Sequence, residues 1–207
     1  MSAATTEPLR VLAINGSYRD DGLTDSILAC VLESLRQAGA VTESIELRDY
    51  PIEFCLNCRE CMQAPGSAPG SCVLDDAMAA LVERIEDADA YVLAAPTNLG
   101  SVTALFKRFM ERLAVYAFWP RGKPAPRLRK AAPTTKKALL ISSSAAPGFM
   151  GRWLFGSCRQ LRMTARWIGA KPVGTLFSGL ASANRNAELS PATIARAGRL
   201  ARRLLPS

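Results

Sequence analysis

The stretch LRVLAINGSYRDDGLT, residues 9–24, decides how this chain is read. Its first half is an apolar run that breaks at Asn15, Gly16 and Ser17, and a helix-like pattern starts at Thr24. An apolar strand, a turn of glycine and hydroxyl residues, and a helix N-terminus together make an anion site. The first helical turn leaves backbone N–H groups without intrahelical partners, and the helix dipole favours negative charge beside them. Ser17 and Thr24 add hydroxyl groups, and Arg19 adds a fixed positive charge. The stretch therefore predicts a grip on a phosphate. Ser17 and Thr24 are also ordinary capping residues, a reading that needs no ligand but leaves Arg19 unexplained.

Alternation continues outward from this stretch. Ile27, Leu28, Val31, Leu32 and Leu35 recur at helical spacing, with Gly39 as a stop, and residues 41–47 alternate as a strand with one less-buried face. After a cysteine-rich loop, Asp75 reads as the N-cap of a helix whose inner face is Met78, Leu81, Val82 and Ile85. Residues 91–95 are apolar throughout, as in a central strand covered on both faces. A helix over 102–116 follows, with Phe106, Phe109, Leu113 and Tyr116 on one stripe. Leu105, Met110 and Ala117 lie off it, which fits either a thick core stripe or a subunit contact. A strand over 138–141, a helix over 151–168, a strand over 171–177 and a helix over 191–204 complete the pattern. Five strands alternating with five helices predict an α/β doubly wound, five-stranded parallel sheet with helices on both faces. In such sheets ligands bind at the carboxyl ends of strands where the winding reverses, so the turns after the first, third and fourth strands should converge.

Composition narrows the chemistry. The 207 residues suit one domain over residues 1–207, and a hydrophobic fraction of 49% against 21% charged favours a folded core over disorder. No apolar run approaches the roughly 20 residues that cross a bilayer. The first ten residues lack the basic-then-apolar order of a secretory signal, so a cytoplasmic protein away from the membrane is expected. Its six cysteines should then be reduced or hold a metal. The chain has no histidine, which excludes Ser–His–Asp and Cys–His catalysis and His-ligated metals. Hard chemistry must come from a cofactor or from cysteine.

The net charge is +8. Arg121, Lys123, Arg127, Arg129, Lys130, Lys136 and Lys137 fall in one run without an acid, which reads as a patch for a phosphate-bearing ligand or as a solvated loop. No aromatic residue interleaves them, which disfavours nucleic acid as a partner. Asp75 and Asp76 could form an acid–base pair, but a cap with favourable first-turn charge explains them more simply. Cys30 and Cys158 fall within helices and read as small buried apolar residues.

The common phosphate loops do not fit. Gly16 and Gly22 enclose five residues, and Leu23 stands where a Walker lysine is needed. The loop GSYRDDGLT, residues 16–24, instead resembles the phosphate loop of the flavodoxin-like NAD(P)H-dependent FMN reductases, usually GSxRxxGxT. The segment DADAYVLAAPTNLGS, residues 87–101, with LFKRFMER after it, is similar to that family's second flavin loop and its helix. The turn over 142–148 fits as a third loop. The resemblance implies a flavodoxin-like strand order 2-1-3-4-5 and an FMN cofactor. Ser17, Arg19, Gly22, Leu23 and Thr24 would hold its phosphate. Pro96, Thr97, Asn98, Leu99 and Gly100 would line the ring, and Ser142, Ser143, Ser144 and Ala145 would close its other side. Asn98 and the three serine hydroxyls would bond the ring edge. The family often has Asn where Leu23 stands and an aromatic residue where Asn98 stands.

Cys55, Cys58 and Cys61, with Cys72 beyond a Gly/Pro insertion, are similar to the cysteine loop of the iron–sulfur members. These four thiols suit a [4Fe–4S] cluster, a zinc ion or no metal at all. The implied function is electron transfer from NADPH or NADH through flavin to a small acceptor, with the basic surface tilting toward NADPH. The implied assembly is a homodimer or homotetramer. An iron–sulfur electron carrier and a flavin-free binding protein are the alternatives.

Overall fold

The computed structural model describes residues 7–130, 135–147, 155–179 and 189–206. Its central sheet has five parallel strands: β1 (Arg10–Asn15), β2 (Val41–Glu46), β3 (Ala90–Ala94), β4 (Lys137–Ser143) and β5 (Lys171–Ser178). Their spatial order is β2-β1-β3-β4-β5, the order that the resemblance implies. The helices are α1 (Leu23–Gln37), α2 (Met78–Asp87), α3 (Ala104–Arg112), α4 (Ser157–Trp167) and α5 (Pro191–Ala201).

Alternation of side chains along each strand divides the core in two. Val11, Ala13, Val92, Leu139 and Ile141 pack with α1 and α5 on one face. Leu12, Ile14, Tyr91, Leu93 and Leu140 pack with α2, α3 and α4 on the other. The α1 stripe Ile27, Leu28, Val31, Leu32 and Leu35 is buried throughout, each residue stabilising the fold by about 1.5–3 kcal/mol. Gly39 ends that helix at φ +84°, a left-handed conformation that glycine adopts without steric cost.

Several boundaries differ from expectation. The helix expected over 102–116 is α3 followed by a 3-10 turn, Leu113–Tyr116. Met110 and Ala117, off its main stripe, are buried within the same chain. The helix expected to reach 204 stops at Ala201, and the first turns expected at 151–154 lie outside the described residues. Asp75 is exposed and does not cap α2. Its neighbour Asp76 accepts the Met78 N–H at 2.9 Å, because only that side chain turns inward. Cys158 is buried, whereas Cys30 is only partly buried.

The basic run is largely absorbed by the fold. Arg129 donates to the carbonyl oxygens of Val115, Gly66 and Cys61, each at 3.1 Å. Lys130 pairs with Glu86, Lys136 donates to the Glu86 carbonyl, Lys137 to the Leu205 carbonyl, and Arg121 pairs with Glu60. Most of these charges brace loops and helix ends, while Arg121, Lys123 and Arg127 stay exposed.

Candidate functional site: a cavity at the strand ends

The chain runs from β1 outward to β2 and returns to β3 on the other side of β1, so the winding reverses between β1 and β3. Register places Asn15 beside Ala94, and Ala94 beside Ile141, so β1, β3 and β4 end side by side. The Gly16 N–H donates to the Ala94 carbonyl at 2.8 Å, joining the first two turns. A Cβ on Gly16 would lie 2.7 Å from Phe106 Cβ, so only glycine lets the first turn pass this close to α3.

The three turns enclose a cavity of about 310 Å3. Ser17, Arg19, Gly22, Leu23 and Thr24 line it from the first turn. Pro96, Thr97 and Asn98 line it from the second, and Ser143, Ser144 and Ala145 from the third. Three expected residues stand back. Ser142 is fully buried and donates to Ser157 Oγ at 3.2 Å, because its position in β4 points it into the core. Leu99 and Gly100 form the tip of a hairpin between Thr97–Asn98 and Ser101–Val102, at φ +47° and +77°. Both central residues of such a tight turn need positive φ, which strains Leu99 and leaves its side chain fully exposed.

Two lining residues, Tyr18 and Thr103, were not anticipated. Thr103 carries the usual signal, a hydroxyl residue just ahead of a helix. Its Oγ1 accepts from the Phe106 N–H and donates to the Gly16 carbonyl at 2.7 Å, tying α3 to the first turn. Hydroxyls link the other turns as well. Thr24 Oγ1 and Ser143 Oγ are 2.8 Å apart, and Thr97 Oγ1 and Ser157 Oγ are 2.7 Å apart. Gln160 on α4 accepts from Ser101 Oγ and from the Val102 N–H, both at 2.9 Å, which fixes the hairpin.

Neither Ser17 nor Thr24 caps α1. The N-cap is Gly22, without a side-chain cap bond, and the Asp25 carboxylate accepts the Gly22 N–H at 3.2 Å. Ser17 Oγ bonds the Arg19 backbone instead. A helix start with a glycine N-cap, whose own N–H is held by Asp25, flanked by Ser17, Arg19 and Thr24, is a donor set that fits a phosphate.

The four loop cysteines meet elsewhere. Cys55, Cys58, Cys61 and Cys72 line a separate cavity of about 450 Å3, together with Met62, Met110, Met163 and Trp167. Burial, with some help from Cys72, Cys55 and Cys58 nearby, pushes the Cys61 thiol up to about 11. Among the described residues, no three or more cysteine or carboxylate side chains are grouped so that they could hold a metal ion. As arranged, the thiols do not form a ligand set for a cluster or a zinc ion.

The loop is held by arginines. Arg112, 2% exposed, donates to both carboxylate oxygens of Asp76 at 2.5 and 3.0 Å, to the Glu53 carbonyl at 2.9 Å and to Cys72 Sγ at 3.6 Å. Burial opposes ionisation of Asp76, yet hydrogen bonds from Arg112 and from the Glu53 and Met78 N–H groups hold its pKa below the ordinary carboxylate value. Nothing in the sequence marked Arg112 as the buried cation of α3.

The sequence profile described as NADPH-dependent FMN reductase matches residues 9–184. The chain belongs to that family. An iron-sulfur flavoprotein of Archaeoglobus fulgidus is 33% identical over 104 residues, which are 50% of this chain and 48% of that protein. One of Methanocaldococcus jannaschii is 29% identical over 104 residues, 50% of this chain and 51% of that protein. The chain thus spans about half the length of the curated relatives it matches. Among solved structures, an NAD(P)H:quinone oxidoreductase from Methanothermobacter marburgensis superposes with a TM-score of 0.66 at 20% identity, covering 94% of this chain and 98% of its own. An azoreductase from Bacillus anthracis gives 0.67 at 14% identity, covering 93% and 98%. At these identities the likeness establishes the flavodoxin-like fold. Among the described residues no helix is long and apolar enough to cross a membrane.

Proposed function

We propose that this chain is an FMN-dependent oxidoreductase. It would pass electrons from NADPH or NADH to a small acceptor such as a quinone, a nitro or azo compound, or free flavin. A single domain over residues 1–207 would do this within a cytoplasmic homodimer or homotetramer. The observation that carries the reading is the closure of three strand-end turns on one cavity at a helix start whose N-cap is a glycine. Ser17, Arg19, Thr24 and the backbone of Gly22 and Leu23 hold the phosphate. Pro96, Thr97 and Asn98 line one side of the ring and Ser143, Ser144 and Ala145 the other. Ser142, Leu99 and Gly100 shape the walls from behind. FMN, when bound, supplies hydride acceptance and onward electron transfer. The chain's own residues bind and orient it, and the three hydroxyl-linked turns hold the two planar partners in register.

A visible spectrum with iron analysis, on protein purified without air, tests this. The expected result is a yellow protein carrying FMN that NADPH or NADH bleaches, with iron far below stoichiometric. Colourless protein that takes up no FMN overturns the reading. A second reading, an iron–sulfur electron carrier, draws on the names of the curated relatives and would need the four thiols, which only line one cavity here, to close into a ligand set. Brown protein with four labile irons and no oxidation of NAD(P)H would establish it instead.

A further inference from the structure

We propose that Arg48 is the positioning residue that sets the phosphate loop in its binding shape, an inference that rests on the reading that a flavin phosphate docks there. Arg48 leaves the 3-10 turn after β2, Leu47–Asp49, and does not line the cavity. It reaches the first turn from outside with a side chain only 19% exposed. One nitrogen, Nη1, donates to the Arg19 carbonyl at 3.0 Å and to the Ser17 carbonyl at 3.5 Å. The other, Nη2, pairs with Asp20 at 3.0 Å and with Glu46 at 3.5 Å.

A trans peptide is planar, with its C=O and the following N–H pointing in opposite directions. Drawing the Ser17 and Arg19 carbonyls toward Arg48 therefore turns the Tyr18 and Asp20 N–H groups away from it. Ser17, Tyr18 and Arg19 line the cavity, whereas Arg48 and Asp20 do not. The Tyr18 N–H is thereby set toward an anion in advance, so binding need not first order the loop.

The rest of the cluster supports the same geometry. Asn15, at the end of β1, donates through Nδ2 to Asp25 and to Glu46, both at 2.7 Å, and accepts the Ser17 N–H at 2.9 Å. Asp25 lies 3.8 Å from Arg48 and accepts the Gly22 N–H at the start of α1. The loop is thus pinned at Ser17, Arg19, Asp20 and Gly22 from beneath, by groups that leave its cavity face to the ligand. Arg48 holds both loop carbonyls, sharing that of Arg19 with Ser17 Oγ at 3.2 Å, so its loss loosens the peptide planes.

The experiment compares FMN with riboflavin, which shares the ring and lacks the phosphate, by titration of flavin fluorescence on the full chain. Arg48→Met weakens FMN binding about tenfold, the loss of one charge-assisted hydrogen-bond set, and leaves riboflavin within about twofold. Arg48→Lys, which keeps one donor to the carbonyls, recovers part of the loss. Arg48→Met with Glu46→Gln keeps the charge beneath the loop balanced and guards against poor folding, and it still binds FMN weakly. Arg36→Met, on the far end of α1, matches wild type. Unchanged FMN affinity in the Arg48 variants overturns the inference. So does equal weakening of FMN and riboflavin, or full recovery in the double variant, which would reduce Arg48 to a scaffold or a distant charge. Those results presuppose wild-type protein that binds FMN; wild-type protein that binds neither flavin brings down the functional reading and this inference with it.

Discussion

Replacing Asp76 with Asn removes the charge that neutralises Arg112 while keeping the side chain's shape. The two side chains are 6% and 1% exposed, so the guanidinium left behind could not regain water. Breaking a buried pair from one side costs about 3–5 kcal/mol. With a urea m-value of about 2.5 kcal/mol/M for a chain of this length, the midpoint should fall by about 1–2 M. Asp75→Asn, at the exposed neighbour, should leave it nearly unchanged. The pH dependence gives a second readout. The folded pKa of Asp76 lies below its ordinary value of 3.8, so near and below that value the unfolded chain binds the extra proton. The contribution of Asp76 is therefore fully present above about pH 4 and disappears as pH falls through the folded value. Denaturation curves of wild type and Asp76→Asn should lie a constant distance apart at neutral pH and converge in acid. Asp76→Leu with Arg112→Met should recover much of the loss, since apolar pairs of similar volume replace buried ion pairs with little penalty. A midpoint shift below about 0.3 M, or curves that stay parallel below pH 4, would refute the assignment of the clamp.

Two further outcomes bear on the cysteine loop. A Cβ on Gly70 would sit 1.9 Å from the Cys61 carbonyl oxygen, with backbone on both sides, so Gly70→Ala must displace the loop. Urea melts should show it costing clearly more than Gly39→Ala, where open space leaves only left-handed strain of about 1–2 kcal/mol. Cys61, with its thiol pushed up to about 11, should alkylate slowly at neutral pH, and its rate should climb with pH toward that value. Iodoacetamide labelling read by mass spectrometry checks this, and fast labelling of Cys61 at pH 7 would contradict the burial argument.

Both the sheet and the glycine-rich turn after β1 could be read from residue order because each rests on local rules. Period-2 and period-3.6 patterning marks strands and helices within a few residues, and handed crossovers leave few ways to assemble five of each. The first turn announces itself because Gly16, Ser17, Arg19, Gly22 and Thr24 fall within one short stretch, residues 16–24. Parts of the site that depend on distant segments were not legible. Ser142 stands behind the cavity that Ser143 lines, since side chains alternate along β4 and only the fold decides which hydroxyl faces the cavity.

Residue order by itself determined the layering, the strand-end location of the site and the exclusion of histidine chemistry. Tertiary structure alone decided that Arg48 and Asn15 brace the first turn, that Arg112 and Asp76 clamp the cysteine loop, and that the thiols face a cavity of their own. Arginine is common on surfaces. Whether one of its many rotamers reaches a carbonyl tens of residues away is settled only when the strands have paired and water has been expelled between them.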